Sequence, residues 1–141
     1  MVFFKERVGG RSNDTVEMKI ETFVSLDKNG KGVKIKTRFD NEVKDHRVRI
    51  MVPTGINSDV HKADSVFEVV TRNNRHNAGW NNPSACEHEQ GFVSIDDGEK
   101  GIAVANIGLY EYEMLPDLDN TIAVTILRES VKWAIGRVPD S

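Results

Sequence analysis

The sequence predicts an all-β fold, an antiparallel β-sandwich, and three observations support this prediction. Apolar and polar residues alternate with period two along much of the chain. Turn-forming pairs, Asn29-Gly30 and Asp97-Gly98, interrupt the alternating segments. No long segment shows a convincing helical period. About seven or eight short strands of this kind are typical of two packed antiparallel sheets.

The first predicted hairpin covers residues 17–39. Both of its arms, EMKIETFVSL and VKIKTRF, alternate between apolar and polar side chains, and Asn29-Gly30 lies between them. A tight hairpin turn favours residues that tolerate positive φ, and this pair supplies them.

Further strands are predicted at RVRIMV, which Pro53 ends, and at SVFEVVT, FVSI, GIAVANI and TIAVTILR. Residues 129–138 could form a short helix. The segment between Arg72 and Gln90 is rich in Asn, Gly and Pro and has almost no periodicity, so we expect a long loop that is functional or mobile. The apolar side chains that we expect to be buried are Val33, Ile35, Val48, Ile50, Ile102, Val104, Val124 and Ile126.

Length and composition indicate one soluble domain, which we expect to span residues 1–141. The net charge of −3 gives no electrostatic attraction for nucleic acid. No apolar stretch approaches the ~18 residues that span a membrane, and MVFFKERVGG is too short and too charged for a secretory signal. The single Cys86 excludes an internal disulfide. We therefore expect a cytoplasmic protein with neither nucleic-acid nor membrane partners.

Candidate metal sites are weak. The run CEHE at residues 86–89 contains ligand residue types, but neighbours on a strand point to opposite faces, so a solvated loop explains it better. DKNGKG begins like a calcium loop, yet the twelfth position from Asp27 is Arg38, where a bidentate Glu is required. No nucleophile elbow or phosphate-binding glycine loop is present. Residue types and spacing alone therefore identify neither a reaction nor a ligand.

Basic and aromatic residues collect near predicted strand ends and in the long loop. They are His46, Arg47, Arg49, Arg72, Arg75 and Trp80. One interpretation is a solvated basic rim. The other is a surface that binds an anion or a sugar, because guanidinium groups and a Trp ring suit hydroxyl-rich ligands.

Arg128 has an unusual predicted position. Alternation along TIAVTILR places it on the same face as Ile122, Val124 and Ile126. An arginine on an apolar face is costly unless it is paired or directed into a cleft. Snorkelling at the strand end is the simpler interpretation, and a functional cleft is the alternative.

Four segments, taken in order, resemble the C-terminal β domain of glycoside hydrolase family 38, the α-mannosidases, in its bacterial form. The segments are RFDNEVKDHRVRIMVPTG, ADSVFEVVTR, GWNNPSACEHEQGFVSIDDGEKGIAVANIGLYEYEM and IAVTILRESV. The most specific pieces are DHRVR, GIAV leading into GLYEY, and TILR. In GLYEY, Gly108 is expected to turn the chain into a new strand, with Tyr110 and Tyr112 projecting from one face.

The resemblance implies a portion of a galactose mutarotase-like supersandwich, from the non-catalytic part of a longer enzyme. That parent would hydrolyse terminal α-mannosidic bonds with retention, using an Asp nucleophile, a general acid and zinc that all lie outside this chain. Its partners would be a mannose-containing carbohydrate substrate and the N-terminal catalytic domain of the same parent chain. The candidate substrate-binding residues here are Arg72, Arg75, Trp80, Tyr110, Tyr112 and Arg128.

Further expectations concern the loop after Arg72, the chain ends and the class of the protein. The chain has Arg72-Asn73 where bacterial relatives usually have Arg-Pro, so the loop there should be less rigid. Both chain ends resemble the middle of a domain, and an edge strand left uncovered should promote self-association. A stand-alone carbohydrate-binding or interaction module is the alternative to an enzyme fragment. Within the enzyme class, a mannosylglycerate-type substrate is a further alternative, since Arg72, Arg75 and His76 would suit an anionic aglycone.

Overall fold

The computed structural model describes residues 17–43, 46–75 and 86–128, and every regular element in these ranges is a β-strand. The chain divides into two compact units. One contains a hairpin, and the other runs from Arg47 to Arg128. The helix expected at residues 129–138 lies outside the described residues. No described helix is long and apolar enough to cross a membrane.

The predicted hairpin is confirmed. Strands β1 (Ile20–Leu26) and β2 (Val33–Phe39) pair antiparallel. The turn chemistry differs from the expectation, because neither Asn29 nor Gly30 has a positive φ. The connection closes instead through the Gly30 amide, which donates to the Asp27 carbonyl oxygen at 2.9 Å.

The expected burial of Val33 and Ile35 was wrong. Their side chains are 57% and 51% exposed. Alternation correctly predicts that these residues share a face of the hairpin, but a two-stranded sheet has no second layer of its own to cover that face.

The second unit contains two four-stranded antiparallel sheets. In spatial order, the first sheet consists of β3 (Arg47–Val52), β10 (Thr121–Arg128), β9 (Glu111–Leu115) and β6 (Cys86–His88). The second consists of β5 (Val69–Asn73), β4 (Val60–Asp64), β7 (Phe92–Asp96) and β8 (Gly101–Ala105).

The core joins the two sheets, which confirms the predicted all-β sandwich. Its buried members come from both sheets and from the connection before β4: Ile56, Ala63, Val93, Ile95, Tyr112, Met114, Ile122 and Val124. Val48 is also buried, as expected. Ile102 and Val104 are half-buried and pack against this core. Burial of apolar side chains on two facing sheets is what stabilises such a sandwich.

Three elements differ from the sequence prediction. Strand β4, VHKAD, was not predicted, because its inward positions are occupied by His61 and Ala63 rather than by large apolar residues. Strand β5 begins at Val69, since Ser65 and Glu68 form a turn in which the Ser65 amide donates to the Glu68 carbonyl oxygen at 2.9 Å. The segment 72–90 is also less irregular than expected, because it contains the end of β5 and all of β6.

A bulge in β10 reverses the predicted face of Arg128. Thr125 pairs with Arg49, but Leu127 pairs with Val48, so one additional residue is accommodated between them. The alternation therefore slips by one position. Arg128 lies on the face opposite the core, where it contacts the same Glu111 carboxylate as Thr125. The expectation that Arg128 shares a face with Ile122 and Val124 was wrong.

Gly108 makes the turn between β8 and β9, as predicted. Its φ is 81°, a left-handed conformation that L side chains rarely adopt. The turn is also fixed by Asn106, whose Oδ1 accepts a hydrogen bond from the Leu109 amide at 3.0 Å.

We expect Gly108→Ala to lower the free energy of unfolding by about 1–2 kcal/mol, because a Cβ in the left-handed region clashes with the backbone. Urea unfolding, followed by far-UV circular dichroism, measures this difference in the free energy of unfolding. Gly108→Asn is the matched variant and should recover part of the loss, since Asn tolerates this region better. Equal stability of the Ala variant and the original chain would contradict the prediction.

Candidate functional site

The Tyr112 hydroxyl lies at the centre of a polar cluster between the two sheets. Tyr112 is fully buried. Its oxygen lies 2.7 Å from His61 Nε2, accepts a hydrogen bond from Arg72 at 2.7 Å and donates to Glu87 Oε2 at 2.9 Å. We call these four residues the interior hub. Two come from each sheet, so the hub joins the sheets through polar contacts as well as apolar ones.

The His61 ring is oriented by its other nitrogen. Nδ1 lies 2.8 Å from the Asn74 side-chain oxygen. The Asn74 amide nitrogen donates to the Ser58 carbonyl oxygen and to Asn120, so its oxygen faces the ring and Nδ1 must donate to it. The proton of the Tyr112 hydroxyl therefore has two acceptors within reach, the His61 Nε2 atom and the Glu87 carboxylate.

Glu87 and Arg72 form the charged part of the hub. The Arg72 Nε and Glu87 Oε2 atoms are 3.1 Å apart, and Arg72 also donates to the His88 carbonyl oxygen at 2.7 Å. Burial alone would raise the pKa of Glu87, but its contacts with His61 and Tyr112 and the charge of Arg72 outweigh burial and lower it. Burial also raises the pKa of Tyr112 well above its usual range. The hub thus holds a carboxylate, a guanidinium and a neutral phenol.

The opposite face of the first sheet carries a second set of charges. We call it the charged face, and its residues are Arg47, Arg49, Glu111, Glu113 and Arg128. Arg49 pairs with Glu113, while Arg47 lies 3.6 Å from both glutamates. Arg128 Nη1 donates to Glu111 at 2.6 Å. This face is therefore cross-linked over three neighbouring strands.

Within the charged face, Arg128 is the arginine with the most exposed side chain. That side chain is 53% exposed, compared with 24% for Arg47 and 19% for Arg49. Burial would raise the pKa of Glu111, but hydrogen bonds from Thr125 and Arg128 and the charge of Arg128 outweigh it and lower the pKa. Arg128 is consequently held by an ionised carboxylate while about half of its side chain stays exposed.

The predicted site residues do not form one site, although Arg72 contacts Tyr112 and lines the same cavity as Tyr110. Arg72 and Tyr112 belong to the interior hub, whereas Tyr110 precedes β9 and is 62% exposed. The two tyrosines therefore do not share a surface, although they are two residues apart. Arg75 forms an exposed ion pair with Asp117 at 2.7 Å. Trp80 and His76 lie outside the described residues.

Most of the basic residues that the sequence placed in a possible rim form ion pairs with carboxylates. Arg47 and Arg49 contact glutamates, Arg72 contacts Glu87, and Arg75 contacts Asp117. The first member of that rim, His46, is buried just before β3. An anion would have to compete with a resident carboxylate at each of the four arginines.

The described residues do not fit a zinc ion. Within residues 17–43, 46–75 and 86–128, no group of three or more His, Cys, Asp or Glu side chains is placed to hold a metal. In the run 86–89, Cys86 accepts a hydrogen bond from Arg47 at 2.8 Å, while Glu87 enters the interior hub. Adjacent residues thus point to opposite faces of β6, as strand geometry requires.

Sequence reasoning missed His61 and Glu87 as partners of Tyr112. One signal was available, because alternation in EYEML places Tyr112 and Met114 on the same inward face. A tyrosine on a buried face usually needs a hydrogen-bond partner for its hydroxyl, and this predicts inward polar residues on facing strands. Which residues these are depends on a packing arrangement that strand alternation does not specify.

Three comparisons identify similar proteins. The family model for the glycosyl hydrolases family 38 C-terminal domain matches residues 5–140. A protein of Halalkalibacterium halodurans named "Putative mannosylglycerate hydrolase" is 37% identical over 144 residues, which cover 100% of this chain and 16% of that protein.

Two solved structures from Enterococcus faecalis are also similar. One is of an alpha-mannosidase, with a TM-score of 0.80, and the other is of a protein in glycosyl hydrolase family 38, with a TM-score of 0.74. Each is 42% identical to this chain and covers 89% of it. The chain in turn spans 14% of each of those chains.

Proposed function

Because this chain belongs to glycosyl hydrolase family 38, as part of its C-terminal domain, we propose that it is a non-catalytic part of an α-mannosidase-like hydrolase. In this proposal the chain supplies a rigid β-sandwich, contacts to carbohydrate and part of the wall of the active site. The names of the relatives support a hydrolase parent that acts on mannose-containing glycosides. Since the chain spans only 14–16% of those proteins, we assign the activity to the parent as part of this proposal.

The observation that carries the proposal is the position of Arg128. Its guanidinium is oriented by Glu111, and its side chain remains 53% exposed. Such a group can donate to a sugar hydroxyl or to a carboxylate brought by another domain. Orientation by a resident carboxylate reduces the conformational entropy that binding would otherwise cost.

The chemical steps lie outside this chain in our proposal. A retaining glycosidase uses two carboxyl groups, one as nucleophile and one as acid and then base. Zinc, bound in the parent, would act as a Lewis acid toward the sugar. The chain's own residues would orient the sugar and shape the site, with the interior hub fixing the sandwich that carries them.

A mannosylglycerate-type substrate is a second candidate, and the name of the Halalkalibacterium halodurans relative favours it. The arginines first considered for its carboxylate do not add support. Arg72 is engaged by Glu87, Tyr112 and a backbone carbonyl, and Arg75 is paired with Asp117. We therefore expect an anionic aglycone, if the parent accepts one, to be bound elsewhere.

We expect the purified chain to release no nitrophenol from a nitrophenyl α-mannoside, with or without added zinc. The parent protein, prepared in parallel, should release it and should lose this activity when the metal is chelated. Zinc-dependent release by the chain alone would contradict a non-catalytic role. A full-length protein that is inactive in the presence of zinc, on nitrophenyl α-mannoside and on mannosylglycerate, would contradict the hydrolase proposal and favour a binding or interaction module without catalysis.

A further inference from the structure

Two connections at one end of the sandwich hold large apolar side chains in water. β4 and β8 both pair antiparallel with β7, so their carboxyl ends lie at the same end of the second sheet. The turn after β4 carries Val66 and Phe67, which are 61% and 98% exposed. The connection after β8 carries Ile107, which is 100% exposed, and Tyr110. Val66 and Tyr110 line the same cavity, so the two connections are neighbours. We call these four residues the apolar end.

The backbone that carries the apolar end is fixed by hydrogen bonds. The Ser65 amide donates to the Glu68 carbonyl oxygen at 2.9 Å. In the other connection, the Leu109 amide donates to the Asn106 side chain at 3.0 Å, and Gly108 adopts a φ of 81°. The side chains of the apolar end thus project from a preorganised backbone. A partner that docks on them loses little free energy in ordering this surface.

Turn geometry does not account for Phe67 and Ile107. Turns favour Gly, Pro, Asn, Asp and Ser, which supply an unusual φ or a local hydrogen bond. A phenyl ring and a branched aliphatic chain supply neither. In water they also gain none of the free energy that burial of apolar area provides. Exposed apolar side chains that lie together mark an interaction surface, whereas single ones do not.

The size of the apolar end favours a tethered partner over a separate one. Its four side chains can bury roughly 500 Å² against an occupant. Separate proteins that form stable complexes bury about 800 Å² per partner, so the apolar end is too small to hold a second copy by itself. A tethered segment needs less area, because its effective concentration reaches roughly the millimolar range.

We infer that the apolar end docks against an apolar segment of the parent's own chain, outside residues 1–141, with Phe67 and Ile107 as the anchoring side chains. The chain spans only 14–16% of the relatives that it matches, so most of a parent of that length is available to supply this segment. Aliphatic or aromatic side chains fit, since a charged group would lose its hydration there. That the occupant belongs to the parent chain rests on the proposed function, whereas the exposed apolar end rests on the described residues alone.

Hydrogen exchange followed by mass spectrometry, on the chain alone and on the full-length parent, tests the inference. In the parent, we expect the amides of residues 65–68 and 106–110 to exchange at least about 10-fold more slowly than in the chain alone, because the docked segment must open first. Replacing Phe67 and Ile107 together with Ser should abolish most of this slowing. In the chain alone, the same double variant should leave the thermal midpoint within about 3 °C, as surface substitutions do.

Leu118→Ser is the matched control. Leu118 is also an exposed apolar residue, at 57%, but it lies in the connection between β9 and β10, at the opposite end of the sandwich. This variant should leave the slowed exchange at both connections of the apolar end unchanged.

Four results would overturn the inference. Equal exchange at the apolar end in the parent and in the chain alone would show that nothing docks there. Slowing that survives the double variant would show that these side chains are not the anchors. A large drop in the thermal midpoint of the chain alone would mean that this chain covers them itself. A dimer of the chain, detected by sedimentation and dissolved by the double variant, would make a second copy the occupant.

The inference and the proposed function can fail separately, because exchange rates do not depend on turnover. A parent with slowed exchange but no glycosidase activity would contradict only the proposed function. An active parent whose apolar end exchanges as it does in the chain alone would contradict only the docking surface.

Discussion

Replacing Tyr112 with Phe is expected to lower the free energy of unfolding by about 2–3 kcal/mol, although only one oxygen atom is removed. That oxygen contacts His61, Arg72 and Glu87 inside the sandwich. Without it, buried polar groups that have left water lose a shared partner, and their desolvation is no longer offset. Urea unfolding, with the midpoint and slope both recorded, measures the loss.

Tyr110→Phe is the matched control, because the same atom is removed from an exposed ring two residues away. We expect a change within about 0.5 kcal/mol, the usual range for surface substitutions. A double-mutant cycle of Tyr112→Phe with Glu87→Gln should give a coupling energy of about 0.5–3 kcal/mol, because the two side chains are in direct contact. Equal effects of the two Tyr→Phe changes would show that the interior hub does not stabilise the sandwich.

In the parent enzyme, Arg128→Ala should reduce kcat/KM by roughly 10- to 150-fold. A hydrogen bond to or from a charged group contributes about 1.5–3 kcal/mol, and this range of energies corresponds to that range of rates. Arg128→Lys should recover only part of the loss, because an ammonium group lacks the planar fork. Steady-state kinetics with a nitrophenyl α-mannoside provide the measurement.

Lys62→Ala is a suitable control for this experiment. Lys62 is also exposed and also forms a surface ion pair, with Asp96 at 3.1 Å, but it lies on the other sheet. We expect the kcat/KM of the Lys62→Ala enzyme to stay within about twofold of that of the unsubstituted parent enzyme, since exposed ion pairs contribute little. If Arg128→Ala folds normally and behaves like Lys62→Ala, Arg128 has only a structural role in the sheet.

The β-strands with clear alternation could be predicted from sequence, and those with inward polar residues could not. β2 and β3 alternate strongly, and both were found. β4 has His61 on its inward side, so hydrophobic periodicity gives no signal there. The segment 86–89 looked like a solvated loop for the same reason, because Glu87 is turned inward to a partner that is distant in sequence.

The position of Arg128 could not be predicted, for a different reason. Alternation correctly placed Ile122 and Val124 in the core, but it assumes that the strand is regular to its end. A bulge depends on how one strand pairs with the next, and the residues around Thr125 carry no glycine or other local signal for it. A slip of one residue moves every later side chain to the opposite face.

The interior hub has a consequence for how this fold can diverge. Tyr112 and Glu87 each contact the other three side chains, so a single replacement leaves at least two of the remaining groups with an unmet hydrogen bond or an uncompensated charge. Replacing all four with apolar residues of matching volume would avoid that cost. We therefore expect positions 61, 72, 87 and 112 to co-vary among homologous sequences, with the complete polar set exchanged together and mixed combinations rare.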